Sequence, residues 1–460
     1  MKRYCALILT SALALALLTS CELMVPGPTQ RPSIGLPGEP SETGGPTPTG
    51  TADPTVDEYG FTVFPEGNYL ADPKFDTDEF LPDYDTDPAF VHYESTRRST
   101  LCQTEDTIYS LYDSYRLNES RDILTFTDKA TGISLPLCGR PECLHNSSTC
   151  NAYMTDASGL RVYEGKLYWV DGGLNHSWDL MSMNLDGTGR STVALMGWAR
   201  DTLHTTQSTH YVIHRGYAYV SGTKHEVIVN GERMSSVSIC AQSLDGGEGF
   251  TIWNKLIDGL GPMCTIKSVG NDLYIMLYYF DYKDRENLEG SFDTVEFYRW
   301  NSKTRKAEFL YSEAHTAGSE LFFYYQSIQP VPGDGIYFGG YRLLDGLYYG
   351  DQDDCVLKYS FETGIIEEVA WLDKGDYLYC TPDYVFTDKD YDIYVFDYSG
   401  NLVSQSEPVV KGHSFGTFMG ADGQYSYWKC DGWNIELLEN DHIGHFIAVP
   451  IRGGGVIITE

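Results

Sequence analysis

Four side chains able to ligate a soft metal fall within one short run. Leu137-Cys138-Gly139-Arg140-Pro141-Glu142-Cys143-Leu144-His145-Asn146-Ser147-Ser148-Thr149-Cys150 holds three thiols and an imidazole. Three thiolates and one imidazole are a complete donor set for a closed, tetrahedral structural zinc site. Gly139 and Pro141 supply the turn that lets so short a loop fold its own side chains together. The spacing, Cys-x4-Cys-x-His-x4-Cys, is not that of a known zinc finger, and an exported protein can oxidise the same thiols to a disulfide. Three states are therefore open: a bound metal, one disulfide with a bystander cysteine, or free thiols. In the first two the cluster is a structural clamp. A catalytic metal needs an open coordination position, and nothing in the run argues for one.

Other groups with chemical capacity fail on context. Gly412-His413-Ser414-Phe415-Gly416 spells a nucleophile elbow. That motif needs a buried strand before the serine and a helix after it. Here Gly416, Gly420 and Gly423 come next, then a strand-like run, and too little chain remains after Ser414 to deliver an acid and a histidine. His442 and His445 read as loop residues, and Asp351, Asp353 and Asp354 as an acidic loop. With 65 Asp+Glu, a pair of glycosidase carboxylates cannot be picked out by type alone. The same acids, against 32 Lys+Arg, give a net charge of −33. That balance argues against a phosphate-binding groove, and hence against a nucleic-acid partner. The 35 Tyr and 20 Phe read mostly as packing groups, with exposed rings available to stack on sugars or anchor a peptide.

The chain begins with Lys2 and Arg3, followed by an apolar run from Ala6 to Leu18 that is too short to span a bilayer and fits a signal-peptide core. It ends in Leu18-Thr19-Ser20-Cys21, which resembles the bacterial lipobox. The resemblance implies a signal peptide over residues 1–20, cleavage before Cys21, and acylation of its sulfur. Two or more acyl chains hold a protein firmly on a membrane. Residues 21–96 read as a disordered tether: Pro26, Pro28, Pro32, Pro37, Pro40, Pro46, Pro48 and Pro54 lie among Gly, Thr and Ser, and Asp72 to Pro88 is acidic. The 35 residues from 22 to 56 reach at most roughly 110 Å in polyproline II, a spacer suited to a thick, Gram-positive-type wall. Without Cys5 and Cys21, nine cysteines remain, so disulfides cannot pair them all.

The rest of the chain must position the cysteine run, and residues 97–460 read as a repeat. Short runs rich in Tyr, Val, Ile and Phe alternate with Gly and Asp, the signal of strands and tight turns. A turn and then a strand with an early aromatic recurs at Tyr109, Tyr168, Tyr219, Tyr274, Tyr337, Tyr384 and Tyr427, at intervals of 43 to 63 residues. A second strand-turn element comes after it, as in Leu180-Met181-Ser182-Met183 before Asp186-Gly187 and Ile393-Tyr394-Val395-Phe396 before Ser399-Gly400. Units of about 50 residues with four short strands are β-propeller blades. The expectation is an all-β chain: a propeller of seven four-stranded blades, an insertion from Tyr282 to Asp293 in the fourth, and the cysteine run on the connection between the first two.

Leu180-Met181-Ser182-Met183-Asn184-Leu185-Asp186-Gly187-Thr188-Gly189 resembles the repeat phrase of TolB-like and DUF5050-like bacterial surface propellers. Tyr168-Trp169-Val170-Asp171 is similar to the tetrad of YWTD propellers. The cysteine run with Asn151-Ala152-Tyr153 resembles a segment of propeller lipoproteins from anaerobic Firmicutes. These resemblances bring no catalytic residue. They imply a lipid-anchored protein on the extracellular face of the cell membrane, whose propeller is a binding or scaffold module for a protein, peptide or glycan. The competing expectation is a carbohydrate-active hydrolase or lyase on the same fold.

Overall fold

The computed structural model describes residues 55–70, 75, 91–92, 101–113, 122–154, 157–171, 179–196, 210–230, 232–280, 291–316, 319–343, 352–372, 378–389, 392–406, 415–430, 446–452 and 457–458. Among them there are strands and turns and no α-helix. The strands form seven successive antiparallel sheets, each built as a meander. The second blade shows the pattern: Ala157–Tyr163, Lys166–Asp171, Asp179–Asn184 and Ser191–Leu195. Its first hairpin turns on Glu164 (φ 46°) and Gly165 (φ 71°). Two consecutive left-handed residues make the type I′ turn whose twist matches a two-residue hairpin. The third blade repeats this with Arg215 (φ 50°) and Gly216 (φ 78°). The recurring turn-then-aromatic signal is therefore the hairpin between the first and second strands of a blade.

Six of the seven tyrosine markers lie in second strands, and Tyr384 immediately precedes its strand, Val385–Lys389. These strands read as continuous apolar runs because a neighbouring blade covers each face. In Asp272–Phe280, every residue from Leu273 to Tyr278 is buried.

Seven separate apolar cores occupy the seven gaps between blades. Trp169 packs with Leu124 between the first and second, Phe297 with Phe338 between the fourth and fifth, and Phe418 with Phe386 between the sixth and seventh. The seventh core joins Leu101 and Ile108 of the first blade to Met419 and Tyr427 of the last. Gln103 Nε2 donates to Asp422 Oδ2 across the same seam at 3.0 Å. The ring is thus closed largely by side-chain packing between blades. Val91–His92 also adds a two-residue strand beside Phe415–Ala421.

Part of the stretch assigned by composition to the tether is built onto the ring. Thr55–Val56 and Thr62–Val63 form a hairpin. Between them Phe61 stacks on Trp253 at 5.1 Å and is buried. Trp253 Nε1 donates to Tyr59 O at 2.8 Å, and Tyr59 stacks on Phe309 at 5.0 Å. Tyr69 N donates to Lys303 O, and Arg305 lies over the rings of Phe64, Tyr69 and Phe250. This strap crosses the outer strands of the third and fourth blades. Residues 55–70 can do so because they carry four aromatics, the apolar face that the proline-rich stretch before them lacks.

Two local expectations change. Ser291–Asn301 is the third strand of the fourth blade, so the insertion expected up to Asp293 ends before Ser291, and Asp293 is buried. Asp353 and Asp354 lie in the strand Gln352–Ser360, not a loop. Asp354 is buried and accepts from Tyr324 Oη at 2.7 Å, which makes it a satisfied core carboxylate.

Candidate metal centre and interblade cleft

The cysteine run interrupts the outer strand of the first blade. Ser134–Pro136 pairs with one half of Asp122–Asp128, and Tyr153–Met154 pairs with the other half. Leu124, midway along that inner neighbour, holds both ends of the excursion. It donates its N–H to Ala152 O and accepts from Leu137 N, both at 2.8 Å. The loop therefore leaves and re-enters the sheet at one point, with all four candidate ligands between its fixed ends.

Within the loop the donors converge. One donor atom each from Cys138, Cys143, His145 and Cys150 lies within 4.8 Å of all the others. Sulfurs around a tetrahedral zinc with bonds near 2.3 Å sit about 3.8 Å apart, so a small contraction completes the cage. Cys143 N donates to Arg140 O and Cys150 N to Ser147 O, two short turns that aim their thiols inward. His145 takes a left-handed conformation (φ 55°), which only a few per cent of non-glycine residues adopt. That turn brings its Nδ1 to 3.3 Å from Cys150 Sγ. Burial pushes the Cys138 thiol up, but hydrogen bonds from the Arg140 backbone and the neighbouring thiols outweigh it and leave the group below its ordinary range. Burial, with both other thiols beside it, raises Cys150 to about 11. The three sulfurs thus act as one interacting group. A disulfide would use two of them and leave the third with the imidazole.

The second blade braces this loop. Arg190 Nη1 donates to Tyr153 O at 2.6 Å and to Asn151 O at 3.3 Å, and Asn151 Nδ2 donates to Gly187 O at 2.7 Å. Gly187 has φ 80°, and a Cβ there would stand 2.8 Å from Leu137 O. The Asp186-Gly187 turn is therefore both a hairpin and the seat of the cysteine loop; the cluster lies within the split outer strand of the first blade and packs against the second, where the sequence suggests the chain connection between the two.

Five further cysteines sit in interblade cores: Cys102, Cys240, Cys264, Cys355 and Cys380. Burial raises Cys240, Cys355 and Cys380 to about 12, so they act as small apolar groups. Cys21, Asp351, Ser414, His442 and His445 lie outside the described residues. No helix among the described residues is long and apolar enough to cross a membrane.

Composition did not reveal a second feature, a cleft of about 490 Å³ between the fourth and fifth blades. Asp272, Tyr274, Arg299, Asn301, Glu308 and Leu310 form one wall, and Pro332, Gly333, Tyr359 and Phe361 the other. Asn301 Nδ2 donates to Asp272 Oδ1 at 2.8 Å, and Arg299 Nε to Glu308 Oε2 at 3.0 Å. Tyr274 stacks on Phe361 at 5.8 Å. The period-2 alternation of Asp272, Tyr274 and Met276 carried the signal: one face of a strand runs from apolar to charged as the core opens at its end.

No protein-family model matches the chain, and no curated protein matches it. Solved structures show a likeness of fold. An acylaminoacyl peptidase in complex with Z-Gly-Gly-Phe-chloromethyl ketone is 12% identical at a TM-score of 0.47, over 79% of this chain and 53% of that one. This chain therefore spans about half of that peptidase. The β-propeller domain of the Trilobed protease from Pyrococcus furiosus is 9% identical at 0.44, over 80% and 98%. The polysaccharide lyase Uly1 is 10% identical at 0.45, over 88% and 99%. These likenesses concern the propeller arrangement and assign no activity.

Proposed function

We propose that this chain is a surface lipoprotein, held by an acylated Cys21 on the extracellular face of the cell membrane, whose propeller is a binding and scaffold module for a protein, peptide or glycan. The geometry of the cysteine cluster carries the reading of that cluster as structural and not as a catalytic centre. Its four donors face one another, so a tetrahedral ion held there has no position left for water or substrate. We further propose zinc as that ion, held by Cys138, Cys143, His145 and Cys150. When bound, it supplies a cross-link that locks the split outer strand of the first blade. The lipobox-like Leu18-Thr19-Ser20-Cys21, the proline-rich stretch and the net charge of −33 support the location and argue against nucleic acid. The test uses the chain with Cys21→Ala on glycan and peptide arrays. Saturable capture without product is the expected result. Turnover of a saccharide would replace this reading with a hydrolase or lyase.

A further inference from the structure

We infer that the cleft between the fourth and fifth blades is a subsite for a neutral saccharide. This rests on the binding-module reading and narrows its ligand. A pyranose offers an apolar C–H face and a rim of hydroxyls, and the cleft supplies a counterpart to each. Phe361 is the half-buried ring of the cleft, and the buried Tyr274 and Tyr359 hold it in place. Phe361 stacks on Tyr274 at an interplanar angle of 24° and meets Tyr359 edge-on at 76°. Rings held by other rings do not have to be ordered when a ligand arrives. Beside them Asp272 with Asn301, and Arg299 with Glu308, give two fixed donor–acceptor pairs. Paired groups of this kind hold a hydroxyl by giving one hydrogen bond and taking another. The volume, about 490 Å³, lies in the roughly 300–1,000 Å³ range of small-molecule sites.

Charge selects among saccharides. The wall holds two carboxylates, Asp272 and Glu308, against the single guanidinium of Arg299, which Glu308 already engages. The chain as a whole is at −33. A uronic acid would meet a net negative wall and a repelling protein.

The test is calorimetric titration of the Cys21→Ala chain with cellohexaose, mannohexaose, chitohexaose and oligogalacturonate, alongside a peptide array. The expected result is saturable binding of a neutral hexasaccharide, at least about tenfold tighter than oligogalacturonate. Phe361→Ala and the milder Glu308→Gln, whose side chain is half exposed, should each weaken it about tenfold or more. A melting curve for each variant separates lost binding from lost fold. Binding that survives in both variants, or a preference for oligogalacturonate, overturns the cleft assignment and leaves the module reading standing. Capture of peptides and no saccharide does the same. Capture of neither class overturns both.

Discussion

Replacing Cys143 with serine asks whether a metal holds the loop. The structure sets the size of the effect. Leu124 fixes the loop's ends through Leu137 and Ala152, so losing the centre frees the excursion and leaves the sheet pairing intact. Cys138 to Cys150 spans 13 residues. Releasing a closed loop of that length returns ~3 kcal/mol of chain entropy to the unbound state. A ring on the order of 360 residues has an unfolding entropy of about 0.75 kcal/mol/K, so the melting temperature should fall by about 4 °C. The assay is a thermal melt with metal analysis on native protein. The wild type should carry one zinc per chain, Cys143→Ser none, and a chelator should reproduce the variant's melt. His145→Ala is the discriminating partner, because a disulfide-locked loop has no use for an imidazole. It should match Cys143→Ser if a metal is the lock. The reasoning is refuted if His145→Ala melts like wild type while a reductant, and no chelator, lowers the melting temperature.

Other parts of the chain give three more expected outcomes. Cys21→Ala should move the protein from the membrane fraction to the medium; palmitate label entering the variant would show that the anchor lies elsewhere. Phe61→Ala removes a buried ring from between Trp253 and Tyr298 and should cost about 3–5 kcal/mol. Limited proteolysis should then cut between residues 55 and 70 well before the ring, and unchanged protection would mean that the strap does not depend on this ring. Burial raises Tyr109, Tyr274 and Tyr337 from an ordinary 10.0 to about 12. Their folded values lie above the unfolded one, so the stability they contribute is present below about pH 10 and is lost as pH rises toward 12. Absorbance at the phenolate band should rise later in native than in urea-unfolded protein, and coincident curves would contradict the burial.

The blades were legible because their second and third strands carry two local signals at once, a tight turn and an uninterrupted apolar run. The turn at Glu164-Gly165 needs left-handed backbone, and the run Leu273 to Tyr278 needs a blade on each side. Outer strands were harder to read: Lys306–Thr316 alternates polar and apolar with much of its surface exposed, a weak pattern in a single sequence. The cysteine cluster was legible because its donors are close in the chain, where spacing alone limits how far apart they can fold. The cleft was not, because Asp272 and Arg299 come from two strand ends and Phe361 from a turn, and only the register Asp272↔Asn301 and Arg299↔Glu308 brings its polar wall together. The strap was missed for a different reason. Its aromatics are spaced irregularly over residues 59–69, with neither a period of two nor of 3.6, so no pattern announces a packed face.

One strand joins the strap and the cleft. In Lys306–Thr316, Ala307 and Phe309 point toward the core between the third and fourth blades, where Phe309 receives Tyr59. Glu308 and Leu310, one residue out of phase, line the cleft toward the fifth blade. Alternation along a single strand therefore presents the strap's seat on one side and the cleft's wall on the other. At the gap between blades three and four, aromatics from before the ring fill the space. At the junction of blades one and two, the cysteine loop caps the sheet edge. The gap between blades four and five has the same strand geometry and keeps a polar wall. A charged pair at Arg299 and Glu308 would be buried without water if another segment of chain covered it, and such a pair offsets its desolvation only when every donor and acceptor is matched. The residues that make the cleft polar are thus the ones that disfavour covering it with more protein, which is what a site kept open for a soluble, hydroxyl-rich ligand requires.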